Sequence, residues 1–251
     1  MFEPRLAVAS LSGEADAAWA LAAADHAGAA FLGGIALDEP AREAARQLVD
    51  RERREFLPSD PLRFVDEQLG RVADADAAIR PGINVRSTTA APIREAAAIC
   101  ADHNAIIEIN AHCRQDELCA VGCGESLLAD GDRLAEYVAV AAETAPAVSV
   151  KVRAGVDGVD LVAVAERIEA AGADAIHIDA MDSEPVVGDV AAATDLFVIA
   201  NNEVRDRESV REYIESGADA VSIGRPSREP TGQVFGRVAD AVAKLESEAT
   251  L

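Results

Sequence analysis

Short, nearly continuous apolar runs alternate along the chain with Ala-rich segments whose apolar residues recur at helical spacing. The runs are Leu6–Ala9, Ala30–Gly33, Gly82–Arg86, Ile106–Asn110, Val148–Arg153, Ala175–Asp179, Leu196–Asn201 and Ala220–Gly224. Their cores are rich in β-branched residues and lack strict alternation, as expected of parallel strands covered by helices. Helical periodicity fills Ala15–Ala27, Pro92–Ala101, Ala129–Glu143, Val159–Ala171, Asp206–Ser216 and Val234–Glu248. Several of these segments end on the same stop, as at Ala171-Gly172-Ala173-Asp174 and Ser216-Gly217-Ala218-Asp219. Glycine just past a helix adopts the left-handed conformation and turns the chain into the next strand.

Eight strand–helix units suit either a closed barrel or an open doubly wound sheet. The loop after the first run, Ser10-Leu11-Ser12-Gly13-Glu14, lacks the G-x-G-x-x-G of an open nucleotide-binding sheet. The expected fold is therefore α/β, a single (β/α)8 TIM barrel over residues 1–251. In the stretch Asp38–Arg80 two helical segments meet at Leu57-Pro58-Ser59-Asp60-Pro61, a pattern too ordered for a linker, and it reads as an extra helical insertion after strand two.

Composition changes this picture mainly at the surface. The net charge is −22, from 45 acidic and 23 basic residues, and only Lys151 and Lys244 are lysines. Such a charge disfavours nucleic acid, whose phosphates need basic side chains. Read instead as solvation in a salt-rich cytoplasm, it says little about the ligand, and a halophilic, cytoplasmic protein is the expectation. No apolar run approaches the roughly 18–20 residues of a membrane span. The start, Met1-Phe2-Glu3-Pro4-Arg5, lacks the basic and apolar regions of a signal peptide. The four cysteines are expected as thiols in such a compartment.

A barrel works at the C-terminal ends of its strands. There the sequence places Asn84 and Arg86, Glu108 and Asn110, Lys151 and Arg153, and His177 and Asp179. A spacing of two puts each pair on one side of its strand. Facing inward near the mouth, they contact a ligand; facing the helices, they would leave charge in an apolar layer. Lys151, inside Ser149-Val150-Lys151-Val152-Arg153, is the sharpest signal. It is either salt-bridged to Glu108 or Asp179 for packing, or a point charge for an anionic ligand or a Schiff-base amine. Asn201, Asn202, Glu203, Gly224 and Arg225 follow strands seven and eight, where many barrels bind phosphate. The loop from Asn110 to Gly124 carries His112, Cys113, Cys119 and Cys123. Its C-x5-C-x3-C spacing fits neither zinc nor common iron–sulfur patterns, so no metal is expected. A reactive Cys113 between His112 and Arg114 is the better reading, since positive charge lowers a thiol pKa.

In order, these pieces resemble the dihydrouridine synthases. Ile107–Arg114 followed by Gly122–Leu128 is similar to that family's "(D)xNxGCP…GxGxxLL" signature, and Val150–Gly155 matches "VKxRxG". Ile199–Val204 resembles "IxNGdI" and Ala218–Arg225 resembles "aDgvmIGR", so the likeness runs from about Pro81 to Arg225. The resemblance implies an FMN-dependent oxidoreductase acting on a pyrimidine-like C=C bond. Cys113 would be the proton donor, and Lys151 would face the flavin ring. Asn201, Asn202, Glu203, Gly224 and Arg225 would hold the FMN phosphate. Asn84, Arg86, Asn110, Arg153, His177 and Asp179 would contact a small-molecule or nucleotide substrate, tRNA being the family's own. The sequence departs from the pattern at His112, Arg114, Asp179, Met181 and Asn202. It also ends at Leu251, and a barrel without the family's C-terminal tRNA-binding helical domain is expected. The alternative is a flavin-free phosphate-binding lyase or isomerase that uses Lys151 directly.

Overall fold

The computed structural model describes residues 1–181, 183–229 and 232–249. In chain order the elements are β1 (Leu6–Val8), α1 (Ala17–Ala22), β2 (Ala29–Ala36), α2 (Glu39–Asp50), α3 (Pro61–Ala73), β3 (Arg80–Arg86), α4 (Ala90–Asp102) and β4 (Ile106–Asn110). There follow α5 (Asp116–Ala120), α6 (Glu125–Ala129), α7 (Gly131–Ala142), β5 (Ala147–Arg153), α8 (Leu161–Ala170), β6 (Ala175–Asp179) and α9 (Pro185–Ala193). The chain closes with β7 (Phe197–Asn201), α10 (Arg207–Glu215), β8 (Ala220–Ile223), a 3-10 turn at Arg225–Arg228 and α11 (Gln233–Ala249). The strands are parallel, each beside the next, and β8 returns to β1 through Leu6↔Val221 and Val8↔Ile223. The expected TIM barrel is what forms.

Strands β4 and β6 have the predicted bounds, and the others differ at their ends. Strand β2 runs on past Gly33 because a register shift between Gly33 and Ile35 absorbs the break in its apolar pattern. Helix α1 stops at Ala22, well short of the Ala27 that periodicity suggests. The insertion after β2 comprises α2 and α3, each with an aspartate N-cap (Asp38, Asp60) and a proline in its first turn. Between them Phe56 pairs with Ile35, which carries the segment around Arg53, Arg54 and Glu55 over the mouth of the barrel.

Strand parity divides the buried residues into two sets. One side faces the helices and forms the main apolar layer. The other faces the barrel axis, where Ala7, Ala29, Phe31, Ile106, Ala147, Ile199 and Ala220 fill the N-terminal end. Phe2 and Phe197 close this plug edge to face, with ring centroids 5.3 Å apart. Above the plug the interior becomes polar, and that change positions the site. Among the described residues, no helix is long and apolar enough to cross a membrane.

Candidate active site

The inward pairs split by height. Asn84, Glu108, Ser149, His177 and Ser222 form a fully buried polar layer above the apolar plug. Glu108 Oε1 accepts from Asn84 Nδ2 at 2.7 Å, and Oε2 lies 2.7 Å from His177 Nδ1. His177 Nε2 is 2.7 Å from Ser222 Oγ, which also accepts from Asn201 Nδ2 at 2.6 Å. These contacts are all satisfied when a neutral His177 donates from Nδ1 and accepts the serine proton at Nε2. Burial and the charge of Lys151 hold His177 below its ordinary pKa, which keeps it neutral. Burial penalises the Glu108 carboxylate, but His177, Lys151 and Asn84 more than offset this and keep it ionised.

Asn84 and His177, expected to touch substrate, therefore lie one layer beneath the mouth and line neither of its cavities. They stand two residues nearer the plug than their partners Arg86 and Asp179, and this depth, which spacing alone does not give, separates support from contact. Asn110 is likewise occupied at both ends. Its Nδ2 donates to Asn84 Oδ1 at 2.8 Å, and its Oδ1 accepts from the backbone N–H of His112 and Cys113 at 3.2 and 3.1 Å. It holds the cysteine loop in place.

Lys151 is 5% exposed, and among the described residues its ammonium has no hydrogen bond and no ion pair. The packing role does not hold, since Glu108 pairs with His177 and Asp179 with His112. Instead Lys151 lines a cavity of about 630 Å³ that runs past Asn201, Asn202, Glu203 and Ser222 to Gly224 and Arg225. This lies within the usual size of a ligand site, roughly 300–1,000 Å³. Beyond β7, Asn202 (φ 99°) and Glu203 (φ 52°) both adopt positive φ. Asn202 is clamped in that state by its Nδ2 bond to Met181 O at 2.7 Å and by Tyr213 Oη donating to Asn202 O at 3.0 Å. Strain of this kind persists only where neighbours enforce it. At Gly224 no atom stands within 4 Å of where a Cβ would sit, so the backbone is open to close approach.

A second cavity of about 900 Å³ adjoins the first and holds Cys113, His112, Asp179, Arg86 and Arg153. Cys113 is 9% exposed. Burial raises its pKa, but the Arg86 charge and the His112 hydrogen bond and charge lower it further, to about 7. Arg86 is itself dry, bonded to Glu55 Oε2 at 2.7 Å and to Ser12 Oγ. Arg153 is bonded to Glu125 Oε1 at 2.6 Å. Arg53, Arg114 and Arg225, also on these walls, have no ion pair among the described residues. Sequence reasoning missed Ser12, Glu55 and Ser222 as parts of the site. Only the inward parity of Ser222 on β8 could have pointed to any of them.

The family model for dihydrouridine synthases, "Dihydrouridine synthase (Dus)", matches residues 82–244. A protein of Methanocaldococcus jannaschii described as uncharacterized is 25% identical over 210 residues, covering 77% of this chain and 78% of its own. Among solved structures, a morphinone reductase variant in complex with tetrahydroNAD has a TM-score of 0.68 at 12% identity, over 96% of this chain and 88% of that one. The tryptophan synthase complex from Pyrococcus furiosus gives 0.61 at 14% identity, over 97% of this chain and 100% of that chain. FabK from Thermotoga maritima gives 0.56 at 14% identity over 89% of this chain, which spans only 58% of the FabK chain. At such identities these structures share the fold. With the family model matched over more than half its length, the chain belongs to the dihydrouridine synthases, a family of flavin-dependent oxidoreductase enzymes.

Proposed function

We propose that the flavin is FMN and that the enzyme reduces, or in reverse oxidises, a pyrimidine-like C=C bond. The observation that carries this reading is the buried ammonium of Lys151, with no hydrogen bond or ion pair among the described residues, at the head of a cavity leading to Gly224 and Arg225. Glu108 and Asp179 act on this cation only at a distance, so a ligand that presents an electron-rich edge is what completes its direct contacts. The surrounding residues fit FMN. The open backbone at Gly224, the unpaired Arg225 and the strained loop at Asn202 and Glu203 suit its phosphate, and Lys151 suits the electron-rich edge of its ring. Bound there, the cofactor supplies the hydride. Lys151 would offer its ring a fixed positive charge in a dry site. Cys113 carries a proton at Sγ for the neighbouring carbon, and Asn110 fixes the loop that presents it. The unpaired Arg53 and Arg114 on the second cavity favour a substrate bearing anionic groups, a nucleotide or tRNA, despite the net charge of the chain.

Purified gently at high salt, the protein is expected to carry or take up FMN and to show flavin absorption. Lys151→Ala should weaken FMN binding about ten- to hundredfold, the equivalent of a charge-assisted hydrogen bond. A wild-type protein that binds no flavin, or a variant that binds it equally well, sinks the proposal. Borohydride-trapped labelling of Lys151 by a carbonyl compound would support the flavin-free lyase or isomerase reading instead.

A further inference from the structure

Two departures from the family pattern, His112 and Asp179, come together in the structure. They lie on different strand ends, in the loop after β4 and at the end of β6, yet His112 Nε2 is 2.7 Å from Asp179 Oδ2. The same imidazole neighbours the Cys113 thiol in sequence and in the cavity, and each shifts the pKa of the other. Thiol, imidazole and carboxylate all line one cavity. Their exposures differ in a useful order: Cys113 is nearly closed off at 9%, whereas 28% of the His112 side chain reaches water.

Building on the reading of Cys113 as proton donor, we propose that Cys113, His112 and Asp179 form a proton-return unit. In it His112 reloads the thiolate with a proton, and Asp179 is the positioning residue that orients the ring. The step balances. The π bond of the substrate breaks and two C–H bonds form, one from the hydride that the flavin would supply and the other from the Cys113 proton. The electron pair of the S–H bond remains on sulfur as thiolate. Protonated His112 then gives its proton to Sγ, becomes neutral, and takes another from water at the mouth. The same path reversed serves the oxidising direction.

The charges around the unit agree with this. Arg86 on β3, Lys151 on β5, His177 and Asp179 on β6, Glu55 from the insertion and Cys123 from the same loop are the groups facing it. Burial lowers the His112 pKa, but Asp179 and Cys113 raise it further, so the imidazolium is the favoured form beside a thiol brought to about 7. An imidazole whose pKa is raised thus stands beside a thiol whose pKa is lowered, the arrangement in which a proton passes between them.

The test is the pH dependence of Cys113 alkylation by iodoacetamide, followed on the Cys113 peptide by mass spectrometry. In the wild-type protein the midpoint is expected near 7. His112→Gln should move it up by about one to two pH units, and Asp179→Asn by less. A purely structural His112 would alter melting temperature and leave the midpoint unmoved, which would overturn the proposal. Should His112→Gln not fold, Asp179→Asn decides, and an unshifted midpoint there overturns it equally. Flavin binding is scored separately. Bound FMN with an unshifted thiol removes the unit alone, whereas a shifted thiol with no flavin removes the FMN reading and keeps the coupled thiol.

Discussion

Glu108 is a carboxylate with no exposed surface inside a barrel, a placement that costs several kcal/mol per ion, roughly, unless charge and hydrogen bonds repay it. Asn84, His177, Ser149 and the nearby Lys151 charge do so. Glu108→Gln should destabilise the fold by about 1–3 kcal/mol in urea unfolding, since its amide would face the donors of Asn84 or His177. The pH dependence follows from two depressed values. Glu108 contributes stability above its unfolded range near pH ~4.3, lost as pH falls through its lower folded value. His177, depressed by burial and Lys151, loses stability as pH drops below about 6.5. Both act in the same direction, so acid should unfold the wild type progressively below about pH 6.5, and Glu108→Gln should flatten the lower part of that limb. An unchanged acid limb in the variant would contradict the role given to the carboxylate. Lys151 was legible in the sequence as an anomaly of composition. Its freedom from partners was not, because that depends on Glu108 choosing His177, a residue 69 positions away.

At the scale of elements, the strands were legible because β-branched runs between glycine stops have few other uses, and parity then assigned each side chain to axis or helix. Helices α5 and α6 were not, since five residues each are too few to show a period. Helix α9 escaped because Pro185–Ala193 is apolar on most sides and has little amphipathic pattern. The contact of Asp179 with His112 joins separate strand ends and has no local signature at all. Gly124 illustrates how such a loop is fixed. It has φ 60°, and a Cβ there would lie 1.9 Å from the Cys113 carbonyl oxygen. Gly158 has a similar φ of 77° but nothing within 4 Å. Gly158→Ala should therefore cost only the left-handed penalty of about 1–2 kcal/mol. Gly124→Ala should cost clearly more and also change the alkylation rate of Cys113. Equal melting temperatures for the two variants would show that the loop yields and does not set the thiol.

At the scale of the whole molecule, a net charge of −22 repels itself, while the proposed chemistry lies at a mouth where Arg53, Arg114 and Arg225 have no ion pair among the described residues. Salt acts on the two in opposite ways. Raising KCl from about 0.15 M to about 1 M shortens the screening length from about 8 Å to about 3 Å, which relieves the repulsion among exposed carboxylates. The dry pair of Arg86 and Glu55 and the Glu108 network lie beyond the reach of that screening. The melting temperature should therefore rise by on the order of 5 °C, equivalent to about 1–2 kcal/mol for a chain of this size. The same salt should weaken the capture of an anionic substrate by the exposed arginines, raising KM with little change in kcat, since Lys151 is shielded from solvent. A melting temperature that is flat or falls with KCl would mean that the acidic surface is not what limits stability. A KM insensitive to salt would remove the arginine rim from substrate capture and leave recognition to the buried groups around Cys113 and Lys151.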